Sequence, residues 1–261
     1  MKKLLLLTTL LAGGITMFAQ HQHYLITGTY THGISKGIYV HLFDSQTGTA
    51  TEVSFTEAGN PSYLVVSPDG KFVYAVHEEA NPKTGGAVSA YSFHNGKLTL
   101  LNTQPTNGAH PCYIAIDQTG KWVTVANYSG GSLALFPIKE DGSLDAASSY
   151  IQHTGSGPDK DRQEAPHVHS TVIAPDNKHV LASDLGLDRI AVYEVKGTTP
   201  TLAPAAEPFV STTPASGPRH LVFAPNKKFA YMIEELSGHV VVFKCYSAIV
   251  VTGPGATGIC R

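Results

Sequence analysis

The chain has 261 residues, 18 basic and 20 acidic, for a formal net charge of -2 and a pI near 6.7. That balance carries no basic stripe for nucleic acid, and 42% hydrophobic residues can bury a core, which excludes wholesale disorder. Twenty-five Gly and 16 Pro, scattered along the chain, predict many turns in a large all-β unit.

The first elements are read from the N-terminus. Lys2 and Lys3 precede an apolar run from Leu4 to Leu11, and Ala19 offers a small residue before a cut. The run is too short to span a bilayer and reads as a secretory signal peptide over residues 1–19, which predicts a periplasmic or secreted protein. No cysteine follows the apolar run, which argues against a lipid anchor, and no later stretch is apolar enough for a membrane span. Three cysteines, Cys112, Cys245 and Cys260, are too few and too irregular for a disulfide framework or a zinc site. They read as thiols without a role, although Cys245 and Cys260 could close a loop worth about 3 kcal/mol.

Next come YLITGTY from Tyr24 and GIYVHLF from Gly37, parts of a first, degenerate unit. Four related segments follow: NPSYLVVSPDGKFVYAVHE from Asn60, HPCYIAIDQTGKWVTVANYS from His110, HVHSTVIAPDNKHVLASDLG from His167 and GPRHLVFAPNKKFAYMIEEL from Gly217. Aligned on the residue before the lysine (Gly70, Gly120, Asn177, Lys227), they stand 50, 57 and 50 residues apart. Each reads as strand, tight turn, strand. A third strand follows each pair, at Ala87, Ser132, Arg189 and His239, and most are followed by a turn and a short fourth strand. Four antiparallel strands repeated about every fifty residues predict a β-propeller over residues 20–244, and the missing WD dipeptide excludes the WD40 type.

In a propeller blade, residues just before the first strand and just after the second lie at one mouth of the central channel. Reflecting each hairpin about its turn gathers Asn60, His77 and Glu78, then His110 and Tyr128, then His167, His169 and Asp184, and finally Arg219, His220 and Glu235. Arg219 and Glu235 are equidistant from Lys227, so cross-strand pairing predicts contact. His167 and His169 are two steps apart, so both are expected on one face. A ring of His, Arg and carboxylates suits an anionic or carbonyl substrate. Arg219–Glu235 can equally be an ion pair closing the hairpin, and His77, His110 and His220 can serve packing. Tyr30, Tyr63 and Tyr91 read as packing. The histidines come from different blades without ligand spacing, so no metal or cofactor is expected.

The stretches GTYT with SKGIYV, NPSYLVVSPDGKFVYAV, ANYSGGSL, PHVHS, GPRHLVF and EELSG, in order from Tyr24 to Lys244, resemble the lactonase family of seven-bladed propellers. That is the 6-phosphogluconolactonase type, related to carboxy-muconate lactonizing enzymes. The resemblance implies hydrolysis of a small-molecule sugar lactone, without nucleic acid or membrane as partner. It implies catalytic roles for His167, His169, Arg219 and Glu235. Asn60, His77, His110, Tyr128 and His220 are then candidates for substrate binding. It also implies seven blades, of which about five are present here. The tail CYSAIVVTGPGATGICR, residues 245–261, lacks the strand-turn pattern and reads as the product of a truncated or shifted frame. An exported protein sits badly with a phosphorylated, cytosolic substrate. Alternative readings are a non-catalytic propeller that binds a sugar or a protein, and a lactonizing enzyme of the muconate type.

Overall fold

A computed structural model describes residues 21–81, 83–245 and 251–252, so the leader and Cys260 lie outside the described residues. The described chain forms five antiparallel sheets in sequence order. The first has three strands: β1 (Gln22–Thr27), β2 (Gly37–Asp44) and β3 (Ala50–Glu57). The second runs β4 (Leu64–Val66), β5 (Phe72–Asn81), β6 (Gly85–His94) and β7 (Lys97–Pro105). The third holds β8 (Pro111–Ile116), β9 (Trp122–Asn127), β10 (Ser132–Pro137) and β11 (Ser149–Gln152). The fourth holds β12 (Val168–Ile173), β13 (His179–Asp184), β14 (Arg189–Lys196) and β15 (Thr201–Ser211). The fifth holds β16 (Pro218–Phe223), β17 (Phe229–Glu234), β18 (Val240–Cys245) and β19 (Val251–Thr252). Lys244 pairs with Thr252 and Cys245 with Val251, so the fifth sheet takes its fourth strand from the stretch expected to be an atypical tail.

The repeated turn has one construction. In each hairpin the residue just past the first strand donates its N–H to the carbonyl of the first residue of the next: Ser67 N to Phe72 O, Asp117 N to Trp122 O, Ala174 N to His179 O and Ala224 N to Phe229 O. The alignment residue then folds back, with Gly70 N on Ser67 O, Gly120 N on Asp117 O, Asn177 N on Ala174 O and Lys227 N on Ala224 O. All four take left-handed φ values, at 71°, 68°, 56° and 59°. Gly and Asn adopt that region readily, whereas lysine is strained there.

Alternating apolar residues place a core between each pair of neighbouring sheets. Ile38 and Val40 pack on Val73, Ala75 and Tyr91. Tyr74, Val76 and Val88 pack on Ile114, Val123 and Phe136. Trp122, Leu133 and Leu135 meet Val168, Val180 and Tyr193. Leu181, Ile190 and Val192 meet Leu221, Met232 and Phe243. The far face of the fifth sheet leaves Val222, Tyr231, Ile233, Val240 and Val242 exposed. Among the described residues no helix is long and apolar enough to cross a membrane.

Candidate active site

The site is built from equivalent positions of the repeat. Ten residues before the turn position stand Asn60, His110, His167 and Gly217, and eight after it stand Glu78, Tyr128, Leu185 and Glu235. In all four hairpins the later residue donates its N–H to the carbonyl of the earlier one: Glu78 to Asn60 (3.0 Å), Tyr128 to His110 (2.9 Å), Leu185 to His167 (2.9 Å) and Glu235 to Gly217 (2.7 Å). This bond closes each hairpin at the channel end. Just beyond it the inner strand carries a bulge, between Pro111 and Tyr113, Val168 and Ser170, and Pro218 and His220. The residues left without a cross-strand partner are Cys112, His169 and Arg219, and a bulge re-aims such side chains. Ser62 holds the equivalent position in the second sheet.

Those four residues meet in one cavity of about 310 Å³, together with Glu78, Tyr128 and Glu235. Tyr30, Tyr63 and His220 complete the wall. Arg219 Nε donates to Glu235 Oε2 at 2.8 Å, and His169 Nε2 lies 3.6 Å from the same oxygen. Across the cavity, Tyr30 Oη donates to Glu78 Oε2 at 2.8 Å. Aromatic rings line the inner strands: Tyr63 stacks on Tyr113 at 4.2 Å, Tyr113 meets His220 edge-on at 5.2 Å, and His220 meets His169 at 5.2 Å.

The electrostatics follow from this packing. Burial, aided by the Arg219 guanidinium, holds His169 below the ordinary histidine value, so its ring is neutral at pH 7. Burial pushes His220 down to about 4. Burial alone would raise the Glu235 carboxyl, but hydrogen bonds from Arg162 and Arg219 outweigh it and hold the group below the usual carboxylate value. Burial, then the Glu78 carboxylate, pushes the Cys112 thiol up, which argues against a thiolate nucleophile. The site therefore offers a neutral imidazole, an ionised carboxylate and a guanidinium whose Nε alone is committed to Glu235. Among the described residues no group of three or more His, Cys, Asp or Glu is arranged to hold a metal ion.

Of the four catalytic candidates, His169, Arg219 and Glu235 are brought together, whereas His167 is not on the cavity wall. The expectation that both histidines share a face fails because His169 occupies the bulge, which breaks the alternation. His167 stacks on Tyr128 at 4.7 Å and reaches Glu164 Oε1 with Nε2 at 3.2 Å. Its N–H donates to Asp184 Oδ1, and Asp184 itself is buried against His153 and so does not face the mouth. Tyr128 and His220 line the cavity as expected.

Asn60, His77 and His110 do not line it. Asn60 and His110 hold left-handed φ values of 41° and 51° at the strand entry, and Asn60 Oδ1 accepts the Thr31 N–H. His110 bonds Ser129 Oγ. His77 precedes Glu78 by one residue and therefore points the other way, into the blade, where Nε2 meets Ser89 Oγ at 2.7 Å.

Residues that the reflection passed over also belong here. Tyr30 and Tyr63, expected to be packing, line the cavity, as do Ser62 and Cys112. Counting eight residues back from each turn would have found Ser62 and Cys112. Arg162 was missed altogether. Its Nη2 donates to Glu235 Oε1 at 2.5 Å and to Tyr128 Oη at 3.3 Å. It lies in the insertion that stretches one repeat to 57 residues, and that irregular spacing was its one trace in the sequence. A larger groove of about 700 Å³ lies at the opposite end of the sheets, among the turns near Pro68, Gly120 and Thr198. Lys139 pairs there with Asp145 at 3.2 Å, and among the described residues no histidine or arginine lines the groove.

Comparison with known proteins gives a consistent picture. The profile of the family described as "Lactonase, 7-bladed beta-propeller" matches residues 24–250. The 6-phosphogluconolactonase of Bacillus subtilis (strain 168) is 36% identical over 218 residues, 83% of this chain and 61% of that protein. The periplasmic gluconolactonase of Pseudomonas aeruginosa superposes with a TM-score of 0.83 at 35% identity, covering 90% of this chain and 68% of its own. A solved Bacteroides fragilis structure superposes with a TM-score of 0.85 at 42% identity, covering 91% and 68%. The chain spans about 60% of the length of the curated relatives it matches.

Proposed function

The chain belongs to the lactonase family of seven-bladed β-propellers, and from that premise we propose that it hydrolyses the ring ester of a sugar lactone at the cavity around His169. The observation that carries this reading is the convergence of His169 and Arg219 on one carboxylate oxygen of Glu235, at 3.6 and 2.8 Å.

Ester hydrolysis needs a base for water, a stabiliser for the oxyanion and a proton for the departing alkoxide. Neutral His169 takes a proton from water as the oxygen attacks the lactone carbonyl. The nitrogens of Arg219 that Glu235 leaves uncommitted receive the oxyanion. When the ring C–O bond breaks, the imidazolium returns the proton to the alkoxide, and a hydroxy acid leaves. Ionised Glu235 steadies both cations, and the Glu78–Tyr30 pair on the facing wall presents acceptor oxygens to sugar hydroxyls.

The substrate is an unphosphorylated aldonolactone met outside the cytoplasm. The leader-like sequence Met1–Ala19 and the likeness to a periplasmic gluconolactonase support that choice. The test is hydrolysis of glucono-δ-lactone and of its 6-phosphate, each measured as acid release above the spontaneous rate. Faster turnover of the unphosphorylated lactone is expected. Preference for the phosphate would overturn the substrate assignment, and turnover of neither would overturn the activity.

A further inference from the structure

Two buried residues off the cavity wall tie together the segments that carry both arginines. Asp188 follows a short 3-10 turn, Leu185–Leu187, and holds a left-handed conformation (φ 48°, ψ 48°). Its Oδ1 accepts from Gln163 Nε2 at 2.8 Å, Ser216 N at 3.1 Å and Gly217 N at 3.0 Å. Its Oδ2 accepts from Ala215 N at 2.7 Å, and its carbonyl from Thr212 N at 2.9 Å. Gln163, fully buried, also donates to Leu185 O at 2.8 Å and accepts from Asp159 N at 3.1 Å.

Two of these contacts lead to the site. Gln163 adjoins Arg162, whose Nη2 bonds Glu235. Gly217 lies two residues before Arg219, and its carbonyl accepts the Glu235 N–H at 2.7 Å. One carboxylate thus anchors the insertion bearing Arg162, the strand entry bearing Arg219 and the backbone of the residue on which both converge. We propose that Asp188, with Gln163, is the positioning residue for the Arg162–Glu235–Arg219 arrangement, acting on the oxyanion site without touching substrate. An acceptor-only side chain is required here. In Asp188→Asn the amide NH₂ would face a donor in either orientation, and at least one backbone N–H, that of Ala215 in the better one, would lose its partner.

The kinetic arm of the test rests on the lactonase reading; a spectroscopic arm does not. Wild type, Asp188→Asn, Arg162→Ala and the double variant are compared on glucono-δ-lactone. Asp188→Asn is expected to melt cooperatively and to lower kcat/KM at least fivefold, chiefly through kcat. In the Arg162→Ala background the same change should cost measurably less than in wild type, because one of the two arms it positions is gone. Independently, the Arg219 side-chain Nε–H signal, assigned by its loss in Arg219→Lys, should be sharp in wild type without any ligand. It should broaden in Asp188→Asn while the amide signals of β12 and β13 persist. If wild type turns over no lactone, the lactonase reading fails and the Arg219 signal alone decides. An unchanged Arg219 signal, or equal kinetic losses in both backgrounds, would overturn the proposal.

Discussion

Arg219 Nε donates to Glu235 Oε2 at 2.8 Å although the two residues are not partners across the hairpin. Pro218 pairs with Glu234 and His220 with Ile233, so Arg219 occupies a bulge and Glu235 lies one residue past β17. The contact therefore belongs to the channel mouth rather than to the ladder, and Arg162 closes on the other carboxylate oxygen. A hairpin ion pair would need neither the bulge nor the second arginine.

The two histidines are separable by kinetics. His169→Asn should lower kcat/KM of lactone hydrolysis by about 10²-fold or more, the usual worth of a positioned base. His167→Asn should cost less than tenfold, since that ring stacks behind Tyr128. Equal losses would return His167 to the site.

Arg219→Lys should also be poor, by about tenfold or more in kcat/KM. An ammonium cannot bind Glu235 and present further donors to an oxyanion in a fixed plane. Wild-type kinetics in this variant would remove Arg219 from the chemistry.

Stability should fall on mild acidification through His220. Its folded pKa, near 4, lies below the ordinary value of 6.5, so the folded state binds fewer protons than the unfolded chain between those limits. That contribution is intact above about pH 6.5 and is lost as pH falls toward 4, to a total of about 2–3 kcal/mol. His169, shifted in the same direction, adds to the slope. His220→Phe keeps an aromatic ring beside Tyr113 and should flatten the acid limb in urea titrations from pH 7 to 4. A parallel limb in the variant would place the sensitivity elsewhere.

Lys227 carries a left-handed φ of 59° where two equivalent turns use glycine. Lys227→Gly should raise stability by up to about 1 kcal/mol, relief of the Cβ strain outweighing the added chain entropy. A lower urea midpoint would contradict this.

Gly186 sits against the segment that bears His167, where a Cβ would overlap Ala165 O and crowd His167 N. Gly186→Ala should cost about 1–3 kcal/mol, the usual range for overpacking. An unchanged melting temperature would show that the 165–167 segment yields freely.

The repeat made the blades legible because a strand-turn-strand unit is a local matter. Apolar alternation and a residue tolerant of positive φ, such as Gly70, Gly120 or Asn177, recur at fixed spacing whatever surrounds them. The same spacing brought Arg219 and Glu235 to one end of the sheets, since a hairpin's ends are fixed by its turn. Side-chain direction was another matter. A single bulged residue inverts the strand's parity, so His169 faces the cavity and His167 does not. One residue of offset likewise sends His77 into the blade and Glu78 to the mouth. Arg162 depended on tertiary structure altogether. It reaches Glu235, 73 residues away, only because the insertion folds back onto Asp188 through Gln163. The sequence by itself determined the sheets and the end at which the polar groups gather, because both follow from short-range periodicity. Which of those groups touch was decided by the bulges and by one buried carboxylate, whose effects appear only when the sheets are packed.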